Sequence, residues 1–219
     1  MARRALLVEG VADTTFYGAF AREIGIRSLD VLPPRSLGAA VDSKTNAIHI
    51  LPTLLSQLDD GSLDRLGLVV DADYHAEHGL GFAATLAKIR EQLVAHGFAT
   101  EKRLATGGFL FEHPDGLPAV GAWIMPDNQH DGMLEDFIKA SIADEQQRNL
   151  HTHASEVVGK LREPLFKPIH RSKADVSTWL SWQKMPGAGV EGTVGSKLID
   201  LASPLCTAFS AWLETVFRR

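Results

Sequence analysis

The chain has 219 residues, 45% of them hydrophobic and 22% charged, with no low-complexity tract. That composition fits a globular protein with a sizeable core, as one large domain or one domain with an appendage, and excludes a disordered or fibrous one. No apolar run reaches 18 residues, MARRALLVEG lacks the apolar core and cleavage site of a secretory leader, and one cysteine cannot form an internal disulfide. The expectation is a protein of the cytoplasm with no membrane partner, in which Cys206, set in LASPLCTAFSAWL, is a packing residue. Net charge is −5, which by itself argues against a polyanionic partner. Its distribution argues the other way. Residues 1–147 carry 12 Lys+Arg against 21 Asp+Glu, a net of −9, while residues 148–219 carry 10 against 6, a net of +4.

In chain order, Ala5–Val8 is a short, wholly apolar run, the pattern of a strand buried on both faces. Residues 11–24 place Phe16, Tyr17, Phe20 and Ile24 at helical spacing, and Gly25 stops the run. Ser28–Leu32 predicts a second strand, ended by Pro33–Pro34. Ile48–Leu58 predicts an apolar helix with Pro52 near its first turn. Leu66–Val70 is a third buried strand, and a helix follows around Gly81–His96, with Phe82, Leu86, Ile89 and Leu93 on one face. Two more strand-like runs, Gly108–Phe111 and Val120–Met125, flank the turn HPDGLP. Beyond Leu134 only helical signals remain, at 134–165 and 193–217, and the segments around Trp179 and Trp212 are expected to pack this tail onto the sheet. The predicted architecture is α/β: a mostly parallel sheet of four to five strands in residues 1–138, with a helical C-terminal extension over 139–219.

The chemistry-bearing residues gather at the strand ends. Glu9 and Asp13 follow the first strand, on either side of Gly10, and Asp71 and Asp73 follow the third. Carboxylates there lie at the carboxyl edge of a parallel sheet, where open α/β folds bind their ligands. Crowded acids repel one another unless a cation sits among them, and hard oxygen donors point to magnesium, with manganese as a substitute. Asp13 reads equally as an acid stabilising a helix N-terminus, and Asp71 with Asp73 as a solvated turn. A third acidic group follows the last strand: Asp127, then Glu135 and Asp136 opening a helix. Glu135 reads as ligand or cap, Asp127 and Asp136 as outer partners of the site. Lys160, Arg162, Lys167, Arg171, Lys173 and Lys184 fall in one 25-residue stretch, either a solvated loop or a surface for a nucleic acid. The histidines match no zinc spacing.

Val8-Glu9-Gly10 with Asp13, and Val70-Asp71-Ala72-Asp73, resemble the Toprim domain of topoisomerases, bacterial primases, recombination mediators and OLD-type nucleases. The segment WIMPDN…GMLEDF (Trp123 to Phe137) is more similar to an uncharacterised subfamily of small stand-alone Toprim-like proteins related to the OLD nucleases. The resemblance covers residues 5–138. It implies a Rossmann-like core in which Glu9 is a metal ligand or general acid/base and Asp71 and Asp73 hold magnesium. By the same resemblance Asp13 pairs with Glu9, Glu135 is a further ligand, and a downstream lysine, Lys173 or else Lys184, assists catalysis. Arg171, Lys173 and Lys184 would contact nucleic acid.

The function expected from this is magnesium-dependent hydrolysis of phosphodiesters in DNA or RNA. The chain departs from the OLD enzymes in carrying no ATPase domain before the core, so a nucleotide-driven step would come from a separate partner. The alternative is a non-catalytic Toprim-like module that binds metal or nucleic acid within a larger assembly. A phosphatase reading of Asp71-Ala72-Asp73 is disfavoured, because that chemistry places its DxD on the first strand. No GxxxxGK[ST] loop is present for nucleotide hydrolysis.

Overall fold

A computed structural model describes residues 3–218. Strand β1 (Arg4–Leu7) leads through helix α1 (Val11–Glu23) to β2 (Asp30–Leu32), and α2 (Lys44–Asp59) leads to β3 (Arg65–Asp71). Helix α3 (Gly81–Ala95) follows, then β4 (Thr100–Arg103), β5 (Phe109–Glu112) and β6 (Val120–Met125). The rest is helical: α4 (Leu134–Ala140), α5 (Glu145–Gly159), α6 (Arg171–Ser181), the one-turn α7 (Gly192–Gly195) and α8 (Pro204–Phe217). Among the described residues no helix is long and apolar enough to cross a membrane.

The strands form one sheet in the order β2-β1-β3-β6-β5-β4. The first four run parallel, and β5 and β4 are antiparallel to their neighbours. The sheet is therefore α/β and mostly parallel, as expected, but it has six strands and a mixed edge. The reasons are local. The HPDGLPA stretch between β5 and β6 is too short for a crossover and closes a hairpin instead. The added strand β4, TEKR, is a mostly exposed edge with no apolar residue, so no hydrophobic pattern announces it.

Helix α2 also begins four residues earlier than its apolar run. The Ser43 hydroxyl accepts a hydrogen bond from the Asn46 amide at 3.2 Å and caps the helix at Lys44, which leaves Pro52 inside it. The long helical stretch at 134–165 is two helices, and the one at 193–217 is the short α7 followed by α8.

Alternation along the central strands divides the core into two layers. Ala5, Leu7, Leu68, Val70, Ala122 and Ile124 face α2 and α3. Leu6, Val8, Val69, Trp123 and Met125 face the other layer, which includes α1, α4, α6 and α8. The C-terminal helices thus share a continuous core with the sheet, and Phe209 and Trp212 of α8 pack against Trp123 with ring centroids 5.1 and 5.8 Å away. Trp212 also donates to the Phe109 carbonyl at 3.3 Å. Trp179 packs instead between helices, against His151 of α5. Close approach of α8 depends on glycines. A Cβ on Gly121 would lie 2.4 Å from Val216, and one on Gly67 would lie 2.9 Å from Phe217.

Candidate active site

The parallel strands β1 and β3 are neighbours in register, Leu7 beside Leu68, so the residues that follow them emerge together at the carboxyl edge. Glu9 reaches across: its Oε1 accepts the Asp71 amide at 2.7 Å. Gly10 opens α1, and Asp13 Oδ2 accepts the Gly10 amide at 2.9 Å. Asp13 is therefore a helix cap and a member of the acidic group at once. Asp71 ends β3, and its Oδ1 accepts the Leu134 amide at 2.9 Å, which docks the N-terminus of α4 on the strand. Glu135 follows immediately in the first turn of α4, and its Oε2 is buried without any hydrogen-bond partner. Lys173 enters from the rim on α6, with part of its length exposed.

The electrostatics bind these five residues into one unit. Burial is the main force on each carboxyl. It pushes Glu9 up to about 8, against relief from Lys44 and the Asp71 amide and with added repulsion from Asp13 and Asp73. Asp71 is raised well above the carboxylate range by burial and then by repulsion from Glu9 and Glu135. Asp13 and Glu135 are raised by burial, and Lys173 offsets part of the shift in both. Burial works to lower Lys173, but the fields of Glu135, Asp71, Asp13 and Glu9 outweigh it and raise its affinity for the proton. Four carboxylates thus face the partly exposed Lys173 ammonium, with Lys44 relieving Glu9, and the group is short of positive charge.

Tyr17 belongs to this recess as well. It stands four residues after Asp13 on α1, so its ring leans back toward the helix N-terminus. The side chain is buried, its hydroxyl makes no hydrogen bond among the described residues, and burial followed by the fields of Asp13, Asp71, Glu9 and Glu135 raises its pKa well above the usual phenol value.

Asp73 takes a different place from the one its spacing suggests. The strand ends at Asp71, and Asp73 adopts a left-handed backbone with φ of 60°. Its carboxylate pairs with the buried ammonium of Lys44, which also donates to the carbonyls of Asp71 at 3.0 Å and Ala72 at 3.1 Å. Asp73 and Asp71 therefore do not face the same side as consecutive alternate strand residues would.

The remaining predicted positions separate. Asp136 is an anchoring hub: its carboxylate accepts from the Met133 amide at 3.0 Å, Ser172 Oγ at 2.8 Å, Lys139 Nζ at 3.0 Å and the Tyr74 hydroxyl. Through Ser172 it holds α6, and so the neighbouring Lys173, against α4 and the loop after β3. Asp127 stays within its own turn, accepting from the Gln129 and His130 amides at 3.0 and 2.9 Å and pairing with His130 Nδ1 at 2.6 Å. Arg171 is engaged with Asp175 and the Ser155 carbonyl, both at 2.8 Å, and Lys184 is exposed beyond the end of α6. Neither is brought to the carboxylates. Among the described residues no group of three or more His, Cys, Asp or Glu side chains stands ready-arranged around a metal ion.

Lys44, Tyr17, Tyr74 and Ser172 carry no sequence signal that singles them out as site residues in the way the strand-end acids are. Tyr17 is visible only as one of an apolar helix face. Its i, i+4 relation to Asp13 is the signal that marks it otherwise. Tyr74 and Ser172 adjoin Asp73 and Lys173 in sequence. Lys44 has no such mark, since it is a lone lysine in a loop-like stretch.

No curated protein and no solved structure matches the chain. A family model does match, over residues 3–218, and the chain accordingly belongs to the family described as "Protein of unknown function (DUF3226)".

Proposed function

We propose that the protein is a Toprim-type, divalent-cation-dependent phosphodiester hydrolase acting on DNA or RNA. The observation that carries this reading is the meeting of Glu9, Asp13, Asp71, Glu135 and Lys173 in one charge-deficient recess at the carboxyl edge of the parallel strands. The donor set fits the ion. All four acids are hard oxygen donors of the kind magnesium and manganese take, and the orphaned Glu135 Oε2 is a buried acceptor that no donor meets. Asp71, Glu135, Asp13 and Glu9 are the residues that would hold it. Once bound, the cation would polarise a phosphoryl oxygen and acidify a water.

The chain's own groups do the rest. Lys173, kept protonated by the carboxylates around it, would stabilise charge developing on the phosphate oxygens. Glu9, with Oε1 engaged by the Asp71 amide, holds its proton up to about 8 while the recess is free of metal, and as a ligand it would release that proton when the ion enters. Asp136 positions Lys173 by fixing Ser172. The exposed Lys160, Arg162, Lys167 and Lys184 would attract the polyanion.

One observation favours the second reading, a regulatory module that binds metal or nucleic acid within a larger assembly: among the described residues the carboxylates are not ready-arranged around an ion. Cleavage of supercoiled plasmid and of labelled RNA in magnesium or manganese separates the two. Asp71→Asn keeps the oxygen that receives the Leu134 amide while removing the charge. The expected result is metal-dependent cutting by the wild type and a loss of about 10²–10³-fold in the variant, the scale of removing a principal transition-state interaction. An intact, metal-loaded protein that cuts neither polymer would leave the regulatory module as the reading.

A further inference from the structure

We infer that the Lys44 ammonium is a built-in cation of this recess, so that the site takes a single divalent ion and Asp73 is not one of its ligands. The inference rests on the metal-dependent reading above and says what form that site takes. Lys44 is only 7% exposed, at the first residue of α2, and an ammonium carries three donors. All three are met by oxygen: the Asp71 carbonyl at 3.0 Å, the Ala72 carbonyl at 3.1 Å and the Asp73 carboxylate. Two backbone carbonyls and a carboxylate are a hard-oxygen set of the kind that cations take. Here the positive charge is delivered by the chain itself. It acts on one of the acids an ion would engage, because Lys44 is the strongest opposing charge on Glu9. The two residues straddle one segment of backbone, Glu9 receiving the Asp71 amide and Lys44 binding the Asp71 carbonyl.

A second observation fixes Asp73 in this role independently of Lys44. The Asp73 amide donates to the Gly132 carbonyl at 2.8 Å, and the Gly132 amide returns a bond to the Asp73 carbonyl at 3.1 Å. This two-bond bridge locks the left-handed backbone, which an aspartate tolerates better than most residues. The packing is closed as well, since a Cβ on Gly79 would lie 2.6 Å from that of Asp73. Moving the Asp73 carboxylate to the side of Asp71 would break the bridge and strand a buried ammonium, which is costly.

The test counts manganese on the metal-stripped full chain, by calorimetric titration and by electron paramagnetic resonance of the free ion. One Mn²⁺ per wild-type chain is expected. Two would overturn the built-in cation and leave the metal-dependent reading standing, whereas none at millimolar concentration would overturn both. In Asp73→Asn the single ion is expected to remain, with its affinity within about tenfold, inside the cost of changing an outer partner of a metal site. Loss of the ion or a larger fall overturns the inference. Lys44→Met, which frees the three oxygens, is expected to take up a second Mn²⁺, and a count unchanged at one also overturns it. Should that variant fail to fold, the wild-type count and Asp73→Asn decide the matter alone.

Discussion

At the scale of single residues, the recess is governed by one imbalance: buried negative charge with too little positive charge beside it. Glu9 ionises near 4.5 in an unfolded chain but holds its proton to about 8 in the fold. Between those values the folded state binds the additional proton, so the stability it lends is complete below about 4.5 and is lost as pH rises through 8. Asp13, Asp71 and Glu135 are shifted in the same direction. Lys173, also raised, loses its contribution only above the ordinary lysine value of 10.5, outside this window. The melting temperature of the metal-stripped protein is therefore expected to fall steadily from about pH 5 to about pH 8. The underlying slope is up to about 1.4 kcal/mol per pH unit for each carboxyl that holds its proton in the fold alone. Saturating magnesium should flatten the fall by replacing the protons, and Glu9→Gln should reduce it. A level profile without metal would mean that neither burial nor mutual repulsion raises these acids in the fold. Glu9 and Asp71 are legible as a pair because both directly follow apolar strands. Tyr17 is marked only by its i, i+4 relation to Asp13, and Lys44 not at all, because nothing near it in sequence says where its side chain ends.

Among the elements, α8 and the sheet show how a small residue decides the packing of a helix. Gly67 of β3 and Gly121 of β6 are register partners, and they face Phe217 and Val216 of α8. They let the helix lie close enough for Trp212 to reach the Phe109 carbonyl. Gly121→Ala would put a methyl 2.4 Å from Val216 Cγ2, and is expected to destabilise the fold by about 1–3 kcal/mol, the usual cost of overpacking, read from urea or thermal unfolding. Gly116, with nothing near its missing Cβ but a positive φ, makes a useful contrast because any loss there is of backbone origin. Strand and helix existence was largely readable: five of the six strands stand where apolar runs placed them. β4 was not, since an exposed polar edge is held by its ladder to β5 and not by burial. The start of α2 was missed for a related reason, as Ser43 extends the helix over polar residues that no apolar period marks.

For the whole molecule, charge segregation meets the fold. The acids of the first 147 residues supply the recess, while the basic stretch 160–184 leads into and out of α6, which delivers Lys173 to it. A polyanion drawn to the exposed Lys160, Arg162 and Lys167 would thus be held by the same segment that supplies the proposed catalytic lysine. Binding of a fluorescent oligonucleotide is expected to weaken steeply with salt. Replacing those three residues together with glutamine should reduce the slope of log K against log salt by about 0.9 for each duplex phosphate no longer neutralised, or about 0.7 for single strands. A slope unchanged in the triple variant would place the binding surface elsewhere on the molecule.

Local pattern along the chain suffices for the α/β class, the order of the main elements and the presence of carboxylates at the ends of β1 and β3, because burial period and breakers are local properties. Glu135 is legible there as ligand or cap, and Lys173 only through the resemblance and beside Lys184; in the fold the fields of Glu135 and Lys173 reach the strand-end acids. Closure of the chain settles that Asp73 turns away to Lys44, that Tyr17 presents to four acids a phenol unbonded among the described residues, and that Asp136 serves the site from outside by anchoring α6. Those outcomes depend on partners 29, up to 118 and 36 residues away, in a low-dielectric interior where a single ammonium or amide redirects a carboxylate. Which of several equivalent acids joins the group is settled by that competition, and it exists only once the chain has closed upon itself.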